Sequence, residues 1–111
     1  MKVIALPEVH VYLTELIQIL YDADYFGFIE DAETYVLNLL HEIENTLPTR
    51  LRKKAPHYFN KYGKDMYYSS IKKSRHTTWY IFFTIYTTSS EEKIFLVRYI
   101  SNNHVIAHLL Q

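Results

Sequence analysis

The chain contains no cysteine, which excludes a disulfide framework, thiol catalysis and thiolate-bound zinc, and suits a reducing compartment. It has only two glycines, Gly27 and Gly63. That is too few for a phosphate-cradling loop, and neither a G-x-G-x-x-G nor a G-x-x-x-x-G-K motif occurs. Nucleotide-dependent chemistry is not expected, and no cofactor is implied. No apolar run approaches the ~18 residues that span a bilayer. Only five uncharged residues separate Lys2 from Glu8, too short for a secretory core. The expectation is a soluble, cytoplasmic protein with no membrane attachment.

Net charge is also missing, since twelve Lys and Arg balance twelve Asp and Glu. What the chain does have is apolar surface: 49% of its 111 residues are apolar and 16% aromatic. A chain of this size hides about two-thirds of its unfolded surface on folding, so a single domain over residues 1–111 with one real core is expected.

The zero total conceals a segregated charge. Residues 1–47 carry Lys2 against nine anions (Glu8, Glu15, Asp22, Asp24, Glu30, Asp31, Glu33, Glu42, Glu44), a balance of −8. Residues 48–83 carry nine cations (Arg50, Arg52, Lys53, Lys54, Lys61, Lys64, Lys72, Lys73, Arg75) against Asp65, a balance of +8. If the two segments stay apart, the folded surface is dipolar and steers a polyanion to one side. If they pack together, they neutralise each other.

Residues 2–6 are β-branched and short, a strand ended by Pro7, which suits the first turn of a helix. Val9, Leu13, Leu16, Ile17, Leu20 and Tyr21 then recur at helical spacing, Gly27 breaks the pattern, and Ala32, Val36, Leu39, Leu40, Ile43 and Leu47 repeat it up to Pro48. Two such helices with a short connection form an antiparallel αα-hairpin. Residues 48–64 read as an exposed basic loop with a helical turn around 56–60. Strands follow at 66–73, 77–86 and 93–100, close enough for an antiparallel meander. The predicted fold class is therefore α+β: an N-terminal strand, an αα-hairpin and a three-stranded antiparallel meander forming one sheet packed on the helices. The tail, 101–111, is a loop and a short apolar element.

Alternation puts Trp79, Ile81, Phe83 and Ile85 on the helix side of the sheet, leaving Tyr80, Phe82, Thr84 and Tyr86 on an open side. In the last strand it separates Arg98 from Tyr99, so both reach one cleft only if the strand twists or bulges. His104 and His108 stand four apart, but the run between them is apolar and no H-E-x-x-H surrounds them, so no metal site is expected.

Arg, Lys, Tyr and His without a metal ligand set are the groups that metal-free RNA cleavage uses. The 2′-hydroxyl attacks the neighbouring phosphate, and the protein supplies a base, an acid and cations for the phosphorane. The candidate catalytic residues are Arg98, Tyr99, Arg75 and His104, with His76 as a further proton-transfer group. The candidate polyanion-binding residues are Arg50, Arg52, Lys53, Lys54, Lys72 and Lys73. Tyrosines on the open side are placed to stack bases.

The order of strand, acidic hairpin, basic loop, meander and tail resembles the RelE/ParE superfamily of bacterial toxin–antitoxin toxins. The residues that carry the resemblance are FGFIEDAETYVLNLLHEIENTLP (26–48), KYGKDMYY (61–68), WYIFFTIY (79–86) and IFLVRYISNNH (94–104). The resemblance implies a toxin held inactive by a cognate antitoxin protein. RelE-like members cleave mRNA in the ribosome as metal-independent endoribonucleases, and ParE-like members inhibit DNA gyrase without nuclease activity. Arg98-Tyr99 matches in type the end of the family's terminal strand. The central strand departs from the nuclease pattern, because it holds no cation and Arg75 lies just before it. A non-catalytic protein-interaction domain with the same fold is the alternative, and exposed edge strands leave a homodimer open.

Overall fold

A computed structural model describes residues 1–110. Strand β1 (Lys2–Ala5) leads into helix α1 (Pro7–Asp22), which turns back into α2 (Ile29–Thr46). The strands β2 (Lys53–Lys54), β3 (Tyr67–Lys72), β4 (Thr78–Thr87) and β5 (Lys93–Asn102) follow, and α3 (Asn103–Ile106) begins the tail. Single 3-10 turns occupy Leu47–Thr49, His57–Lys61 and Ala107–Leu109. The strands form one mixed sheet in the order β1-β5-β4-β3-β2, with β1 parallel to β5 and every other pair antiparallel.

The meander over β3, β4 and β5 and the helical hairpin are the expected α+β elements, with two additions. Lys53–Lys54 of the basic loop pairs with Tyr67 and Tyr68 as a short fifth strand, and the tail coils into α3 and its 3-10 turn. Pro7 occupies the first turn of α1, where its missing N–H costs no hydrogen bond. The break between α1 and α2 is made by Asp24 and not by Gly27. Asp24 takes the left-handed conformation (φ 60°) while Gly27 has no positive φ. An aspartate tolerates this region because its short polar side chain bonds locally.

On the helix side, Val9, Leu13 and Leu16 of α1 and Val36, Leu39 and Ile43 of α2 pack on Ile71, Trp79, Ile81, Phe83, Phe95, Val97 and Ile100. Both helical stripes are the three-to-four-residue repeats of the sequence, so the hairpin follows from burying two amphipathic faces on one sheet. Trp79 is fully buried, and its indole Nε1–H donates to the Tyr35 hydroxyl at 2.9 Å. Tyr35→Phe strands that donor in the core, an expected loss of ~1–3 kcal/mol. Trp79 is the only tryptophan, so thermal unfolding followed by its fluorescence reads this directly; an unchanged midpoint would mean that the bond contributes nothing.

The other side of the sheet is not the open tyrosine face that alternation suggests. Phe59 of the 3-10 turn and Ile106 of α3 close over Phe82 and Met66 in a second core, with Tyr62, Tyr68, Tyr80 and Tyr99 packed around it. Phe59 stacks on Phe82 with ring centroids 4.4 Å apart. Loop and tail thus form a third layer over part of the sheet, and the tyrosines there are rim residues of a core.

The two oppositely charged segments meet at one carboxylate. Glu42 Oε2 accepts from Arg50 Nη2 at 2.5 Å and Glu42 Oε1 from Lys73 Nζ at 3.1 Å. Among the described residues no other ion pair forms, so most of the basic segment stays unneutralised by the hairpin.

Candidate polyanion-binding cleft

The register between β4 and β5 slips once. Phe82 faces Tyr99, and the next residue, Phe83, faces Val97, which leaves Arg98 as an inserted residue. A β-bulge of this kind cancels the alternation of side chains at that point. Val97 and Ile100 remain in the core beneath the helices, while Arg98 and Tyr99 both emerge on the opposite side. The bulge falls just past the end of β1, whose last residue, Ala5, pairs with Val97. Beyond it no described strand pairs with the edge of β5, and a cleft of about 400 Å³ opens there. Glu8 and Tyr12 of α1 line one wall, Lys61 and Tyr62 of the basic loop another, and Arg98 and Tyr99 the floor.

Arg98 is held by two bonds: its Nε–H donates to Thr84 Oγ1 at 2.9 Å and its Nη2 to the Tyr86 hydroxyl at 2.6 Å. A guanidinium carries five N–H donors, so three remain for a ligand, and no described carboxylate pairs with it. A fixed fork with free donors is the geometry that binds phosphate oxygens bidentately. Gly63 makes room for it. A Cβ at that position would lie 2.6 Å from Arg98 Cδ and 3.1 Å from its Nε, so glycine is needed here for close approach. Gly63→Ala is expected to push the guanidinium off Thr84 and weaken binding of a single-stranded RNA oligonucleotide about tenfold, ~1.4 kcal/mol. In an Arg98→Ala background it should cost nothing more, and an additive loss by fluorescence polarisation would remove Gly63 from the positioning of Arg98.

The rings of Tyr62 and Tyr99 stack at 3.9 Å, nearly parallel at 6°. The Tyr62 phenol is raised above its ordinary value, first by burial and then by the Tyr99 phenol beside it. Burial, with a smaller contribution from Tyr99, pushes Tyr12 from 10.0 up to about 12. Both phenols therefore keep their protons at neutral pH, so they donate hydrogen bonds and do not act as bases. Lys61 extends over the Tyr58 ring at 4.0 Å; Tyr58 is the main reason that its ammonium is held above the usual lysine value. Glu8 contributes a carboxylate at the start of α1.

The Tyr12 shift carries its own test. Between pH 10 and 12 the unfolded chain has lost this proton while the folded chain keeps it, so the native state binds more protons and stability falls as pH rises. Tyr12→Phe lacks that term. Urea midpoints at pH 9 and pH 11 are expected to drop less for the variant than for the parent; equal drops would contradict burial of the phenol.

The other candidates from the sequence lie elsewhere. His104 Nε2 is 3.3 Å from Thr77 Oγ1, and Asn103 Nδ2 donates to the carbonyl of His76, so His104, His76 and the exposed Arg75 gather at the β3–β4 hairpin. Phe82, the partner of Tyr99, lies five positions beyond Thr77, roughly 17 Å at strand rise. The quartet Arg98, Tyr99, Arg75 and His104 is therefore two pairs, not one site. The six basic residues are divided as well. Arg50 and Lys73 are held on the helix side by Glu42. Arg52 lies 5.3 Å over the Tyr67 ring, and Lys54 pairs with Tyr67 on that same side. Lys53 and Lys72 stand on the other side, opposite Tyr68 and Thr78. Glu8, Tyr12, Lys61 and Tyr62 were not singled out from the sequence, and only the density of Lys and Tyr around Gly63 hints at two of them.

Among the described residues no three His, Asp or Glu side chains gather as metal ligands, and no helix is long and apolar enough to cross a membrane. Comparison with known proteins finds no matching family model, no matching curated protein and no matching solved structure.

Proposed function

We propose that this chain is a toxin of the RelE/ParE kind, restrained by an antitoxin protein, whose working surface is the Arg98 cleft and whose target is the RNA backbone in translation. The observation that carries the reading is the bulge that turns Arg98 and Tyr99 to the same side, next to Lys61, with three guanidinium donors free. The strand, helical hairpin and meander on which the resemblance rests follow one another along the folded chain, with β2 inserted before the meander and α3 after it. In this reading Arg98 and Lys61 hold the scissile phosphate and its developing charge. Glu8 accepts the 2′ proton, and a tyrosine hydroxyl, of Tyr12 or Tyr99, gives one to the departing 5′-oxygen. The products are a 2′,3′-cyclic phosphate and a 5′-hydroxyl.

A second reading has a specific observation behind it. The raised phenols and the distance to His104 leave the cleft better equipped to hold a polyanion than to move protons, which favours a non-catalytic interaction domain. Induction in growing cells separates the readings. The toxin reading expects growth arrest, relieved by the product of an adjacent small open reading frame. It also expects fragmented RNA and unimpaired gyrase supercoiling. Supercoiling loss with intact RNA would move the target to gyrase. Normal growth with tight binding of a protein partner would favour the interaction domain.

A further inference from the structure

Among the described residues, strand β1 is paired on one side only. The Leu6 N–H donates to the Val97 carbonyl at 3.0 Å, and backbone alternation turns Ile4 and Lys2 the same way, toward β5. The N–H and C=O groups of Val3 and Ala5 therefore face the free edge. Edges are usually blunted by proline, bulges, inward charges or a covering loop. Residues Lys2–Ala5 show only Lys2, at the start, and no described strand pairs on that side.

Behind this edge, between β1 and the two helices, lies a groove of about 210 Å³. Its walls are Val9, Leu40, Ile43 and Val97, and its polar members are His10 and Glu44. The volume is several times the ~30 Å³ of a water molecule in the liquid, and aliphatic side chains make up most of the lining, so it suits a branched aliphatic side chain beside a polar one. Among the described residues Glu44 is the one carboxylate lining the groove, and no Lys or Arg of the hairpin opposes it, since none occurs between Lys2 and Arg50.

We propose that the β1 edge and this groove accept, as a sixth strand, an extended segment of another protein that places an apolar side chain in the groove and a neighbouring lysine or arginine against Glu44. Main-chain bonds to Val3 and Ala5 supply the pairing, and the groove and Glu44 supply the selection. A second copy is the poorer occupant. Two β1 edges side by side bring two acidic hairpins together, and β1 against the basic β2 edge of another copy is a head-to-tail contact that builds rings or filaments and not a two-fold dimer. The proposal stands whatever the Arg98 cleft binds.

The test uses the full chain, labelled with nitrogen-15, and two capped peptides, one alternating valine and lysine and one alternating valine and glutamate. The valine–lysine peptide is expected to slow hydrogen exchange at the Val3 and Ala5 amides and to shift His10 and Glu44. The glutamate peptide should bind at least tenfold more weakly. Val3→Pro removes an outward N–H without removing a bond to β5, and should cost at least tenfold in affinity. Glu44→Lys, a surface change that leaves the backbone intact, should reverse the preference between the peptides. No protection at Val3 and Ala5 with either peptide at millimolar concentration, equal affinity for both, or protection that grows with protein concentration alone would overturn the proposal, the last in favour of self-association.

Discussion

Replacing Arg98 with alanine is expected to lower RNA cleavage by ~10²–10³-fold, the usual cost of removing one preorganised group that faces developing charge, or, if the cleft only binds, to weaken RNA affinity by roughly ten- to a hundredfold. Stability should change far less. The side chain's two hydrogen bonds go to Thr84 and Tyr86 at a partly exposed site, and together they are worth ~1 kcal/mol, which moves the melting temperature by less than ~8 °C in a domain of this size. The gap between the two effects is the content of the prediction, because a structural arginine would lose both together. Arg98→Lys keeps the charge and loses the fork, so it should fall between parent and alanine. Parent-level binding by the alanine variant, measured by fluorescence polarisation and paired with its melting curve, would remove Arg98 from the cleft's function.

The helical hairpin and the helix-facing side of β4 were legible in the sequence because burial imposes a period that survives in residue type. Leu13, Leu16, Val36, Leu39 and Ile43 repeat at helical spacing, and Trp79, Ile81 and Phe83 at strand spacing, and all of them enter the core beneath the hairpin. The cleft was not legible, because it depends on breaking a period. Alternation assigns Arg98 and Tyr99 to opposite faces, and only the register against β4 reveals the inserted residue. The second core was hidden for a related reason. Phe59 sits in a five-residue 3-10 turn inside a basic loop, and a single aromatic residue in a polar stretch has no periodicity to announce its burial. Asp24 outdoing Gly27 as the left-handed residue shows the same limit on a smaller scale, since local backbone bonding decided it and composition pointed elsewhere. The opposite charge of the two segments is plain in residue type, but which cations remain unpaired depended on where Glu42 reaches.

Fold and cleft are joined most tightly at Phe59, and Phe59→Ala is expected to damage both. The ring is fully buried, stacks on Phe82 at 4.4 Å and lies 6.2 Å from Tyr99 and 6.5 Å from Tyr62. Truncating a buried phenylalanine costs ~3–5 kcal/mol through lost transfer energy and the cavity left behind, a large part of the 5–15 kcal/mol that holds a typical domain together. The melting temperature should fall by at least ~10 °C. The 3-10 turn has no covalent or ionic anchor among the described residues, and Lys61 and Tyr62 stand at its end. The turn should therefore loosen well below global unfolding, detaching two walls of the cleft from the floor that Arg98 and Tyr99 provide. Binding would then weaken at temperatures where circular dichroism still shows a folded chain, a signature that Arg98→Ala does not produce. Phe59→Leu, which refills most of the volume, should recover much of the stability and the binding. A fall of less than ~3 °C for the alanine variant would mean that the turn is not held by this ring, and that the cleft's second wall has another support.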